Sequence, residues 1–240
     1  AAKSVVTTSV TESNNSTLTQ ATIGETVTWS YSAEIPAKTS IFNGLLDEQA
    51  PAAARWSAVG TPTLTSSAGA VAWAAGCARD ATEFRLCTDT ANASFGDVFF
   101  PTSWTNTTTA AVTFTVSLTM RVADTGANSH GAAFANTAVL TSTPTTATTG
   151  AVERARASAQ VTIVVPAPAL AKNVSLTAAT GPWSNADTSA NGGQTVYYRL
   201  TASNTSGRPP LHETVIVDCI DSRLTAFTNL TSPTVATVSG

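Results

Sequence analysis

From Val112 to Val122 the chain reads Val-Thr-Phe-Thr-Val-Ser-Leu-Thr-Met-Arg-Val, six apolar residues separated one at a time by polar ones. Only an extended strand, whose side chains alternate between two faces, turns that spelling into one apolar and one wetted surface. On a helix the same residues would be spread around the axis. Similar though shorter stretches lie at 26–33, 137–141, 157–165 and 195–203, separated by Gly, Pro, Asn and Asp. Short strands with this punctuation, and no sustained 3.6-residue period, predict an all-β chain of immunoglobulin-like β-sandwiches. The one helical expectation is a short turn at 51–55, where alanines follow a proline.

Composition agrees with strands. Thr and Ser supply 44 and 24 of the 240 residues. β-Branched Thr suits the exposed face of a pleated strand, whereas exposed helices favour Lys and Glu. At 42% hydrophobic and 11% charged the chain is globular, and 240 residues suffice for one large domain or two ordinary ones. The net charge of −3, with no Lys/Arg cluster, argues against a nucleic-acid partner. No apolar run approaches the ~20 residues of a spanning helix, so no membrane insertion is expected in this segment.

The chain restarts. After Val165-Pro-Ala-Pro-Ala-Leu170, whose prolines stiffen an extended path, Ala2-Lys3-Ser4-Val5 is echoed by Ala171-Lys172-Asn173-Val174. Gly24-Glu-Thr-Val-Thr-Trp29 is echoed by Gly193-Gln-Thr-Val-Tyr-Tyr198, and the interval from Lys to Gly is the same in both copies. This is an internal repeat with a period of 169 residues, the mark of a tandem array. The expected organisation is a sandwich at 1–165 with a long inserted region at about 54–104, a Pro-rich linker at 166–170, and the opening part of a second sandwich at 171–240. That second part has room for about four strands. An open half-sandwich exposes edges and apolar surface, so continuation beyond Gly240, or completion by another chain, is expected.

Of the three cysteines, Cys77 and Cys87 are ten residues apart, a span that a hairpin or compact loop closes. A disulfide between them fits an extracellular protein. Cys219 is left over.

Lys3 in a first strand, Gly24-Glu-Thr-Val-Thr-Trp29, the acid-terminated run Phe42-Asn-Gly-Leu-Leu-Asp47 and the late Asn136-Thr-Ala-Val-Leu-Thr141 together resemble the isopeptide-forming domains of Gram-positive fimbrial and collagen-adhesin-type proteins. They are also similar to tandem β-sandwich repeats of bacterial surface proteins. The resemblance covers most of 1–165, and its opening half recurs at 171–224. It implies a bacterial cell-surface or cell-wall location and an amide between the side chains of Lys3 and Asn136, with Asp47 as the assisting acid. Glu48 and Glu25 are the alternatives for that acid. In the second copy Lys172 and Asp218 are the counterparts, without an acceptor Asn. The bland alternative makes Lys3 a solvated charge, Asp47 a turn residue and Asn136 a strand-end hydrogen bonder.

Catalytic signatures are lacking. No nucleophile elbow or phosphate loop occurs. His130 and His212 lack companions at ligand spacing, and Asp80, Asp89, Asp97 and Asp124 form no calcium loop, so neither metal nor cofactor is expected. The leading expectation is a non-enzymatic stalk or scaffold module of a surface adhesin, pilus-like fibre or surface layer, whose partners are further domains of the same protein or neighbouring copies. Two other readings are a tip domain that binds a host protein or glycan, and a non-catalytic module of a secreted hydrolase. For glycan binding the aromatic candidates are Trp29, Trp56, Trp73, Trp104 and Trp183.

Overall fold

A computed structural model describes residues 1–50, 55–69, 71–147, 149–186, 188–219 and 224. The described residues contain no helix. The turn expected at 51–55 falls outside them except for Arg55. The chain forms two compact units, Ala1–Val165 and Pro166–Gly240.

The first unit holds twelve strands among its described residues: β1 (Ala2–Thr8), β2 (Gln20–Ala21), β3 (Thr26–Ile35), β4 (Ser40–Gln49), β5 (Trp56–Ser66), β6 (Trp73–Ala75), β7 (Phe84–Leu86), β8 (Val98–Phe99), β9 (Ser103–Thr105), β10 (Val112–Val122), β11 (Ala133–Thr143) and β12 (Val152–Ile163). One sheet runs β1-β3-β10-β5; the other runs β2-β12-β11-β4-β8-β7-β6, with β9 also on β4. Pairing is antiparallel except for β2 with β12 and β6 with β7.

The alternating residues are the core. Val112, Phe114, Val116, Leu118, Met120 and Val122 of β10 point inward beside Val27, Trp29, Tyr31, Ala33 and Ile35 of β3. Facing them are Leu46, Ala138, Leu140, Val161 and Ile163 of the second sheet. Each fully buried residue of the size of Phe114 or Leu118 contributes about 1.5–3 kcal/mol of burial free energy. Outward lie Thr and Ser; Thr28 and Thr119 share a hydroxyl hydrogen bond of 2.9 Å across β3 and β10.

The region after β5 widens the second sheet. Gly76 donates its N–H to Leu86 O at 3.0 Å, and a Cys77–Cys87 disulfide closes the segment just beyond the parallel strands β6 and β7. Phe84 and Phe100 carry this extension onto the core, edge-on to Trp104 and Phe114 at centroid distances of 4.9–6.3 Å, with Phe84 tilted over Phe114 at 5.1 Å.

In the second unit, β13 (Pro168–Ser175) and β14 (Tyr197–Asn204) form an antiparallel ribbon, two strands among the described residues where four were expected. Its register repeats that of β1 and β3: Lys3 lies opposite Tyr31 and Lys172 opposite Leu200, both partners displaced by 169. The period read from the letters is therefore also a structural period.

Candidate functional site

Lys3 sits on the inward parity of β1, and its side chain is completely buried. Its ammonium lies 4.5 Å from the Tyr31 ring centroid and 5.9 Å from that of Trp29, residues of the neighbouring strand β3. From there it reaches across the sandwich and donates to Oε2 of Glu48, whose side chain is equally buried.

Asn136 completes the group from β11. It has no solvent exposure. Its inward neighbour Ala138 pairs with Glu48, so Asn136 is diagonal to Glu48 on the same inner face, within reach of a long side chain. Both polar atoms of its amide, and Oε1 of Glu48, lack a hydrogen bond of ordinary geometry, although Asn136 lies close enough to Glu48 to favour its ionised form. A buried amide without partners costs on the order of 1–3 kcal/mol per group, so native interiors rarely keep one.

Burial decides the electrostatics. Desolvation lowers the pKa of Lys3 and raises that of Glu48, and their mutual attraction opposes both shifts without cancelling either. Moving the proton from Lys3 to Glu48 leaves two neutral groups in an apolar site, the state that desolvation favours. In that state a neutral amine lies beside a protonated carboxyl group, with the Asn136 carboxamide next to Glu48 on its other side.

The acid expected at Asp47 is displaced by one residue. Asp47 lies on the outward parity of β4, where Gln49 Nε2 donates to its Oδ2 at 2.8 Å, and the residue that meets Lys3 is Glu48. The cause is a bulge. Thr141 pairs with Leu45 and Thr143 with Phe42, so β4 spends one residue more than β11 over this stretch. Asn43, in the left-handed region at φ 47°, and Gly44 are both buried at the kink. After the bulge the inward residues of β4 are Gly44, Leu46 and Glu48. Glu25, the other alternative, is committed elsewhere. Its carboxylate accepts from Asn15 Nδ2 at 2.9 Å and from the N–H groups of Thr22 and Val10 at 2.8 and 3.1 Å.

In the second unit Lys172 and Asp218 do meet, at 2.6 Å, with the Lys172 ammonium 4.6 Å from the Tyr198 ring. The surroundings differ: their side chains are 39% and 21% exposed. Cys219 is exposed and free.

The tryptophans form no stacking platform. Trp29 and Trp56 are buried against each other edge-on at 6.0 Å. Trp104 belongs to the aromatic cluster, Trp73 packs on the core and Trp183 lies against Arg199. Sequence reading missed Asp97, which is 3% exposed and accepts the Glu48 N–H on Oδ1 at 2.7 Å. Among loop aspartates, no spacing distinguishes it from Asp80 or Asp89.

No protein-family model matches the chain, and a comparison with curated proteins finds no match. Among solved structures the chain is similar to the pilus 2b backbone protein of group B streptococcus, with 12% identity over 84% of this chain and 78% of that one, at a TM-score of 0.43. It is also similar to BcpA, the major pilin subunit of Bacillus cereus, with 10% identity over 79% of this chain and 53% of that one, at a TM-score of 0.40. The pilus backbone protein RrgB of Streptococcus pneumoniae shows 9% identity over 78% of this chain and 42% of that one, at a TM-score of 0.34. The chain thus spans about half the length of the last two.

Proposed function

We propose that the first unit is a load-bearing, non-enzymatic module of an extracellular bacterial surface structure, a fibre or adhesin stalk, and that it locks itself with an amide between Lys3 and Asn136. The supporting observation is the buried trio of Lys3, Glu48 and Asn136, in which burial favours the neutral amine and the carboxamide has no other partner.

The step balances as an exchange of amines. Lys3 gives its proton to Glu48, and Nζ attacks Cγ of Asn136. Glu48 hydrogen-bonds to the carbonyl oxygen and passes a proton to Nδ2; the Cγ–Nδ2 bond breaks and ammonia leaves. The second proton lost by Nζ returns to Glu48. Strands holding the groups in contact supply the effective concentration.

The mechanical consequence follows from topology. The amide joins β1 of one sheet to β11 of the other, the penultimate strand of the unit rather than the last. A pull entering at Lys3 crosses to Asn136 and bypasses residues 4–135. Single-molecule stretching tests this. With the amide in place, opening of the first unit releases only residues 137–165, roughly 10 nm at about 3.4 Å per residue. A release of roughly 50 nm, the stretch from Lys3 to Val165 less the residues held by the Cys77–Cys87 disulfide, contradicts the reading.

A further inference from the structure

Resting on that reading of the site, we infer that Asp97, with the loop that carries it back onto Cys87, is a positioning residue for the Lys3–Glu48–Asn136 reaction.

Two consecutive residues of one loop hold two of the three reacting groups. Asp97 Oδ1 takes the backbone N–H of Glu48, fixing β4 at the residue that supplies the acid. Gly96 O accepts the Tyr31 hydroxyl, and the Tyr31 ring is the surface on which the Lys3 ammonium rests. Gly96 is required here. Its φ is +93°, and a Cβ would stand 2.8 Å from the Tyr31 hydroxyl. The loop is anchored in turn on a disulfide cysteine: Cys87 donates its N–H to Asp97 O, and its carbonyl accepts from Gly96 N–H, both at 2.9 Å. Asp97 N–H closes the turn on Ser94 O at 2.8 Å.

Asp97 accepts from the Glu48 N–H and from the Ser94 side chain, and burial raises it to about 7, so its charge appears within the pH range in which the reaction would run. When ionised, Asp97 repels a second negative charge on Glu48 and so keeps the proton that the departing nitrogen needs. The charged and titratable groups around this pair are Lys3, Tyr31 and Asp47.

The test starts from chain isolated in denaturant before it has folded, diluted into buffer from pH 5 to 9, with the loss of ammonia followed by mass against time. Asp97→Ala removes both acceptor and charge and is expected to slow condensation about 100-fold. Asp97→Asn keeps an acceptor and removes the charge. It is expected to move the alkaline, falling limb of the pH–rate profile to lower pH by on the order of one unit. Should Asp97→Ala not fold, the Asn variant decides through that profile, which a merely structural residue would leave in place. Condensation in wild type with unchanged rate and profile in both variants overturns the positioning role alone. No condensation in wild type overturns the amide itself, and this inference with it.

Discussion

Lys3 and Lys172 hold the same position in two copies of one register, and each has a carboxylate and a tyrosine ring beside it. They nonetheless have different chemistry. Lys3 is covered by a second sheet and its pKa falls; Lys172 keeps 39% of its side chain in solvent. The same contrast runs along the neighbouring strand. Trp29 and Tyr31 of β3 are buried, while Tyr198 and Leu200, their counterparts on β14, are exposed at 42% and 37%. A repeated strand pair supplies the same kinds of side chain twice, and the sheet that covers the first copy is what buries its lysine and lowers the pKa.

The largest expected difference between the copies comes from the lysines. Lys3→Met removes the amide and with it the restraint that a cross-link from residue 3 to residue 136 places on the unfolded chain, a loss of about 3–5 kcal/mol, or roughly 10 °C in Tm at this size. Lys172→Met is expected to cost less than about 1 kcal/mol, because exposed pairs contribute little. Thermal unfolding of both variants makes the comparison, and equal losses would break it. Next come the aromatics: Trp29→Ala is expected to cost about 3–5 kcal/mol. Tyr198→Ala, with much of its ring already wet, should cost about 1 kcal/mol or less.

A smaller effect separates the units by pH. Burial pushes Asp97 up to about 7 in the folded state, so the native form holds its proton more tightly than the unfolded chain does. Stability of the first unit should therefore fall as pH rises from about 4 to 7, and Glu48, raised for the same reason, acts in the same direction. Asp97→Asn should flatten that slope in denaturant titrations. A slope of undiminished size in the variant would assign the effect to Glu48 or another group.

Much of the fold was legible because one face of each long strand is buried. Val112 to Val122 states the inner face of β10 residue by residue. The Gly-x-Thr-Val repeat likewise marked where β3 begins and a second copy starts over. Legibility failed where parity breaks. The bulge at Asn43–Gly44 shifts β4 by one residue, and Leu45-Leu46 offers no alternation from which to see it, so Asp47 and Glu48 exchange faces. Asp97 was invisible for another reason: its importance comes from a loop folding back on β4 across 49 residues, a contact that no local pattern records.

The proposed covalent bond between Lys3 and Asn136, with Glu48 as its acid, underlies the load-bearing role of the first unit. Intact-mass measurement of the folded chain tests it most directly, together with Glu48→Gln and Asp47→Asn. The prediction is a mass about 17 Da below that of the disulfide-bonded chain, matching loss of one ammonia, with the deficit absent in Glu48→Gln and retained in Asp47→Asn. A wild-type mass that differs from the sequence only by the two hydrogens of Cys77–Cys87 would contradict it.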